Sequence, residues 1–198
     1  MASAGVASRV EGGGDEVGIG TLRRAVFLDR DGVLNEAVVR DGKPYPPATA
    51  GEVRVVDGAV EGLRRLKELG FLLIVVTNQP DVGRGTQSLA EVTAINERLG
   101  AEMPLDDVLM CLHGGDGCDC RKPRPGLLLA AAERHGIDVA GSYLIGDRWR
   151  DVEAAEAAGC PAVWIDYGYN ERGPTNRPAA VVKSVREAIC WIVEREHL

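Results

Sequence analysis

Five short apolar runs recur along this chain with helical patterns between them: AVFL at 25–28, FLLIVV at 71–76, DVLMCL at 107–112, SYLI at 142–145 and PAVWI at 161–165. Runs that are apolar throughout suit strands buried on both faces. Their alternation with helices predicts an α/β fold, a Rossmann-like parallel sheet with helices on both faces. The helix expected over about 59–69 carries Val60, Leu63, Leu66 and Leu69 at helical spacing, with Gly70 as its stop. Ser88 and Glu91 form a capping-box signature for a second helix. A third opens at Pro125 and ends near His135-Gly136, a fourth covers about 150–158, and the last covers about 181–194.

Ligands of open α/β sheets bind outside the carboxyl ends of the strands, and there the chain concentrates its polar residues. Asp29 and Asp31 follow the first run, Thr77 and Asn78 the second, and Asp147 the fourth, while Lys122 lies in the loop after the third. In FLDRDGVLNE, two carboxylates two residues apart repel unless a cation sits between them or one holds a proton. A solvated Asp-Arg-Asp-Gly turn is the plainer alternative. As a set these residues suit phosphoryl transfer. Asp29 can attack phosphorus, and Asp31 can protonate the leaving alkoxide and then deprotonate water. Asp147 suits Mg²⁺, a hard cation that prefers oxygen. The Thr77 hydroxyl and nearby backbone N–H groups fit the transferring oxygens, and Lys122 offsets negative charge. Asp151, at the start of a helix, can orient the metal's shell or Lys122.

The chain of 198 residues, with 45% hydrophobic and 27% charged residues, fits one soluble domain over 23–198 behind a glycine-rich, flexible N-terminal leader over 1–22. A formal charge of −7 disfavours nucleic acid and anionic membranes as partners, so a bound phosphate must meet a local positive pocket. No apolar stretch approaches membrane-spanning length and the leader has no secretory h-region, so a cytoplasmic monomer is the expectation. Three of the five cysteines cluster as Cys111, Cys118 and Cys120, with His113 between the first two. In CLHGGDGCDCRKP the Cys111/His113 and Cys118/Cys120 pairs, joined by a flexible GGDG link, predict a closed structural Zn²⁺ site. Free thiols in a surface loop are the alternative.

FLDRDGVLNE, VVTNQ, the lysine of CRKPRPG and IGDRWRD, in that order, resemble the four motifs of the haloacid dehalogenase superfamily, over about Ala25–Ile165. The chain is similar to the branch whose members act on heptose bisphosphate and histidinol phosphate. The resemblance implies Asp29 as nucleophile, Asp31 as general acid/base, and Mg²⁺ held by the Asp29 carboxylate, the Asp31 carbonyl and Asp147. It also implies Thr77 and Lys122 on the phosphoryl group, Arg121 on the substrate, and a zinc loop ahead of the RKPRPG segment; Asn78 and Arg148 are further candidates for binding phosphate or substrate. The expected substrate is a small phosphorylated molecule, the 7-phosphate of a heptose 1,7-bisphosphate, with histidinol phosphate as alternative. Departures lie in Pro80–Gly83, in the short link between His113 and Cys118, and in Arg148, where the branch commonly has lysine.

The gaps from Asp31 to Thr77 and from Thr77 to Lys122 are too short for a large cap domain once their own helix and strand are counted. A zinc-stabilised nucleic-acid module using Arg121, Lys122 and Arg124 is the reading from another class; the acidic total and the lack of aromatics among these basic residues oppose it. Arg84 touches a second phosphate or is solvated, and Asp81 is a partner for a cationic substrate. Trp149 lines the mouth or packs in the core, whereas Trp164 and Trp191 read as core. His135 reads as a favourable charge at a helix C-terminus.

Overall fold

A computed structural model describes residues 22–197; of the expected leader, all but Leu22 lies outside the described residues. The chain runs β1 (Ala25–Leu28), β2 (Val38–Arg40), β3 (Lys43–Tyr45), α1 (Ala59–Glu68), β4 (Leu72–Asn78), α2 (Pro80–Arg84), α3 (Leu89–Glu102) and β5 (Asp107–Cys111). It continues through α4 (Gly126–His135), β6 (Tyr143–Gly146), α5 (Trp149–Ala158), β7 (Ala162–Ile165), β8 (Ala180–Val182) and α6 (Val185–Glu196). Six strands form one parallel sheet in the order β5-β4-β1-β6-β7-β8, and β2 and β3 make a separate antiparallel hairpin.

Alternation along the strands divides the core in two. Val26, Leu28, Leu73, Val75, Ile145 and Val163 join Leu63 and Leu66 of α1, Ile95 and Leu99 of α3, and Ile189 and Ile192 of α6. From the opposite face, Ala25, Phe27, Leu72, Ile74 and Leu144 meet Leu127, Leu128 and Ala131 of α4 and Val152 and Ala155 of α5. The central strands are therefore buried on both faces, as the unbroken apolar runs predict, while the edge strands β5 and β8 are only partly covered.

Several elements depart from the sequence expectation. Val181 belongs to β8, which pairs with β7, and the last helix begins only after Ser184, whose Oγ accepts the Glu187 N–H at 3.2 Å. Thr77 and Asn78 end β4 rather than following it. Trp164 and Trp191 are only half-buried. The hairpin and α2 are additions, and among the described residues nothing between Asp31 and Thr77 or between Thr77 and Lys122 forms a cap domain. Ser88 caps α3 as expected, accepting the Glu91 N–H at 3.1 Å.

Candidate active site

The register carries the polar residues to one edge. Central β1 pairs with β4 on one side and β6 on the other, with Leu28 level with Val75 and Ile145. The next residues of β1 and β6, Asp29 and Asp147, and the end of β4, Thr77, therefore emerge together at the carboxyl edge. Asp29 and Thr77 border a cavity of about 270 Å³ whose walls also include Asp31, Lys122 and Asp151.

Lys122 arrives from the loop after β5 and is buried. Its Nζ lies 3.0 Å from Asp29 Oδ1 and 2.6 Å from Asp151 Oδ1, and it donates to the Val76 carbonyl at 2.8 Å. Burial would lower its pKa, but Asp151 and Asp29 outweigh burial and raise it, so the ammonium is held charged. Asn78 fixes the Lys122 backbone from both ends of its amide, donating to the Lys122 carbonyl and accepting its N–H, each at 3.0 Å. The Asn78 amide is thus spent on holding the lysine.

Asp29 Oδ1 also accepts the Arg30 N–H at 2.7 Å. Burial pushes its carboxyl up to about 6; Lys122 opposes this, and Asp151 and Asp31 add to it. Asp147 is raised well above the usual carboxylate range by burial and then by Asp29 and Asp151. Among the described residues neither Asp147 oxygen has a hydrogen-bond partner, although both are buried. Such an orphaned carboxylate, with donor oxygens of Asp29 and Asp151 within 4.8 Å, has the character of a hard-cation site. Gly32 makes room for it: its φ is +93°, and a Cβ there would lie 1.9 Å from Asp147 Oδ2. Gly146 does the same for Asp151, whose Cβ would lie 2.2 Å from a Cβ at that position. Asp151 also accepts the Arg148 N–H at 2.9 Å, capping α5 while it pairs with Lys122.

Asp31 repels Asp29 as the spacing suggests, but its own carboxylate is satisfied by donors. Its Oδ1 accepts from Arg30 Nε at 3.1 Å and Asn35 Nδ2 at 3.0 Å, and its Oδ2 from an Arg30 terminal nitrogen at 2.9 Å and Gln79 Nε2 at 2.8 Å. Arg30 is fully buried and continues to Asn96 of α3. Gln79 also donates to Thr77 Oγ1 at 2.9 Å, joining the two motifs. Arg30, Asn35 and Gln79 escaped the sequence reading because buried polar residues are recognised by partners that only the fold brings near. The hairpin was missed as well, although Asp41-Gly42 is a strong hairpin dipeptide and both residues have positive φ, at 51° and 73°. It adds Lys43 and Tyr45 to the cavity wall.

Cys111 ends β5 beside Asn78 of β4. Its Sγ lies 3.6 Å from His113 Nδ1 and 3.6 Å from Cys118 Sγ, and Cys120 Sγ lies 3.3 Å from His113 Nδ1. A zinc tetrahedron with legs of about 2.0–2.3 Å has edges of roughly 3.5–3.8 Å, so the four residues fit that ion. Burial and the neighbouring Cys111 and Cys118 thiols push Cys120 up to about 12, a crowding that a cation would relieve. Arg121 donates to the His113 carbonyl at 2.9 Å, and Arg124 donates to the carbonyls of Asp116 and Cys118. These arginines brace the loop.

At the mouth, Arg148 pairs with Glu171, and Arg84 lies 3.4 Å from Asp81. Trp149 is half-buried, with the guanidinium of Arg172 3.3 Å and that of Arg150 4.3 Å from its ring centroid. His135 Nε2 lies 2.8 Å from Asp107 Oδ2.

A heptose-1,7-bisphosphate 7-phosphatase of Pseudomonas aeruginosa is 37% identical over 158 residues, covering 76% of this chain and 85% of that protein. The chain belongs to the haloacid dehalogenase-like (HAD-like) hydrolase family. The family model described as "HAD-hyrolase-like" matches residues 119–188. The Escherichia coli enzyme of the same description is 37% identical over 147 residues, 68% of this chain and 74% of its own. Among solved structures, the D,D-heptose 1,7-bisphosphate phosphatase of B. bronchiseptica, complexed with magnesium and phosphate, aligns with a TM-score of 0.71 and 28% identity. That alignment covers 87% of this chain and 99% of the other. The HAD-like sheet, with its acids, hydroxyl and lysine at the carboxyl edge, is the architecture that the four motifs imply.

Proposed function

We propose that this chain is a Mg²⁺-dependent phosphomonoesterase that removes the 7-phosphate of D-glycero-D-manno-heptose 1,7-bisphosphate through an aspartyl phosphate. The observation that carries the reading is Asp29: a buried carboxylate beside Lys122, with only one oxygen engaged by Lys122 and the Arg30 N–H. Its free Oδ2 attacks phosphorus while the bond from phosphorus to the sugar oxygen breaks. Asp31, in its protonated form, gives the leaving alkoxide its proton. As a carboxylate, Asp31 then takes a proton from water, the water oxygen attacks phosphorus, and the phosphorus–Asp29 bond breaks to release inorganic phosphate. Lys122 and the Thr77 hydroxyl stabilise charge on the transferring oxygens. The Asp29 and Asp147 carboxylates and the Asp31 carbonyl would hold Mg²⁺, which supplies further positive charge there when bound. Zn²⁺ in the Cys111/His113/Cys118/Cys120 set is structural: it pins the loop that carries Arg121 and Lys122.

Cavity size and charge support a small anionic substrate. The wall carries six cations, Lys122 included, against five acids, Asp29, Asp31, Asp81, Asp151 and Glu171, a slight positive excess that suits an anionic substrate. Asp81, the acid that could receive the amine of histidinol phosphate, lies beside Arg84. Nucleic acid is disfavoured because Arg121 and Arg124 are engaged within the loop. We infer action as a monomer in the cytoplasm; no helix among the described residues is long and apolar enough to cross a membrane.

The test is phosphate release by purified protein with Mg²⁺, comparing kcat/KM for the heptose bisphosphate, other sugar phosphates and histidinol phosphate. The heptose bisphosphate should lead. Preference for histidinol phosphate by more than about tenfold, or 1.4 kcal/mol of transition-state binding, would overturn the substrate. Turnover by a folded Asp29→Asn variant would overturn the covalent mechanism.

A further inference from the structure

Gln79 follows β4 directly, is 1% exposed, and takes no part in the steps described for phosphoryl transfer. Its Nε2 nevertheless spends both of its hydrogens on residues that do, donating to Asp31 Oδ2 at 2.8 Å and to Thr77 Oγ1 at 2.9 Å. We propose that Gln79 is a positioning residue that makes the Thr77 hydroxyl a donor to the transferring phosphoryl group, with Asp31 as the fixed reference for its amide. The proposal rests on the phosphatase reading above and assigns a residue to the transfer step itself.

A hydroxyl carries one hydrogen, which it can give to only one acceptor. The Gln79 N–H fills an acceptor position on Thr77 Oγ1, so the threonine's own hydrogen is not drawn back toward Gln79. Among the described residues that hydroxyl donates to no protein acceptor, and Thr77 lines the cavity where the phosphoryl group would sit. The direction of the amide is set by its surroundings. Turned end for end, Gln79 would set Oε1 against Asp31 Oδ2, acceptor against acceptor. Asp31 is itself held in place from its other side by Arg30 and Asn35. The main chain is fixed as well, since the Gln79 N–H donates to the Cys111 carbonyl at 2.8 Å. Gln79 Oε1, in contrast, is buried without a donor among the described residues, a mismatch that marks the N–H end of the amide as the useful one. Asp31, Gln79 and Thr77 thus form a relay of hydrogen-bond direction that ends at the transferring oxygens.

The test is a cycle of the wild type, Gln79→Met, Thr77→Val and the double variant, assayed with heptose 1,7-bisphosphate and Mg²⁺. Gln79→Met keeps the length of the side chain and removes its donors, and Thr77→Val keeps the shape and removes the hydroxyl. Thr77→Ala takes the place of Thr77→Val if the latter does not fold. With Thr77 present, Gln79→Met should lower kcat about tenfold or more and change KM by less than about twofold, because the hydroxyl matters most as charge gathers on the transferring oxygens. In the Thr77→Val background the same change should cost less than about threefold, since no hydroxyl is left to orient. A merely structural Gln79 would lower kcat by the same factor in both backgrounds, and that additivity would overturn the proposal. So would a kcat of Gln79→Met within about twofold of wild type. Should the wild type not hydrolyse the ester, the phosphatase reading fails, and the same cycle read by calorimetric titration of the intact proteins with orthovanadate and Mg²⁺ still decides. Vanadate binding weakened about tenfold by Gln79→Met only where Thr77 is present supports the relay. Equal weakening in both backgrounds, no weakening, or no binding by the wild type overturns it.

Discussion

Asp147 is 2% exposed with neither oxygen hydrogen-bonded among the described residues, and Gly32 stands so close that any side chain there would occupy the carboxylate's place. Gly32→Ala should therefore displace Asp147 and also strain a backbone at φ +93°. The expected result is loss of Mg²⁺-dependent turnover together with a destabilisation on the order of 1–3 kcal/mol, measured by denaturant unfolding. Wild-type activity in this variant would refute a role for the close approach of Gly32 to Asp147. The raised carboxyls carry a second prediction. Asp29 titrates near 6 when folded against 3.8 as its ordinary value, and Asp147 is raised as well. For Asp29 the folded protein keeps a proton that the unfolded chain has released, so stability falls as pH rises from about 4 to 6, and Asp147 adds a loss in the same direction. Asp147→Asn removes one buried charge that has no partner, so in EDTA at pH 7.5 its Tm should exceed the wild type's by a few degrees, with a smaller gap at pH 4.5. For the wild type, Mg²⁺ should raise Tm more at pH 7.5 than at pH 4.5, because only ionised carboxylates bind it. A lower Tm for Asp147→Asn at both pH values would contradict this account.

At the level of elements, the Cys/His loop and Lys122 are one assembly. Arg121 and Arg124 tie the loop's carbonyls together, and Asn78 of β4 clamps the backbone of the lysine that follows. Cys118→Ser, or zinc removal by a strong chelator, should lower Tm and reduce kcat while leaving the HAD-like sheet folded by circular dichroism. Elemental analysis of untreated protein should find about one zinc per chain. Lys122→Met is harsher: it leaves Asp29 and Asp151 buried without their cation, at a cost of about 3–5 kcal/mol. The sheet was legible in sequence because its central strands are buried on both faces and so read as unbroken apolar runs. The hairpin was not, since strands of three residues with exposed ends carry no apolar periodicity. Val181 was drawn into the last helix because Ala180–Val182 precede an amphipathic run without a glycine or proline between them. Ser184 and Glu187 marked the true start, and the structure shows that cap in use. In the site, Asp29, Thr77 and Asp147 were legible from their strand ends, and Lys122 from the loop after the third apolar run. The donors around Asp31 were not, because Arg30 is directed by its burial against α3, a contact between distant segments.

For the whole molecule, two charge scales oppose each other: a net charge of −7 and a cavity wall where six cations outnumber five acids. A phosphorylated substrate is repelled by the first and attracted by the second, and salt distinguishes which governs capture. At about 0.1 M ionic strength the screening length is about 10 Å, so charge spread over the far surface is largely silenced while cations at the cavity wall still act on an entering phosphate. Raising salt from about 20 to 300 mM should therefore lower kcat/KM for the heptose bisphosphate several-fold, with kcat nearly constant. A monophosphate, carrying less charge, should show a shallower slope. Were the global charge in control, salt would instead raise kcat/KM by screening repulsion, and that sign would refute the local reading. Duplex DNA gives the complementary measurement. A polymer must contact an extended surface, where the net negative charge dominates and Arg121 and Arg124 are already engaged, so the intact protein should not retain a DNA probe even at about 20 mM salt.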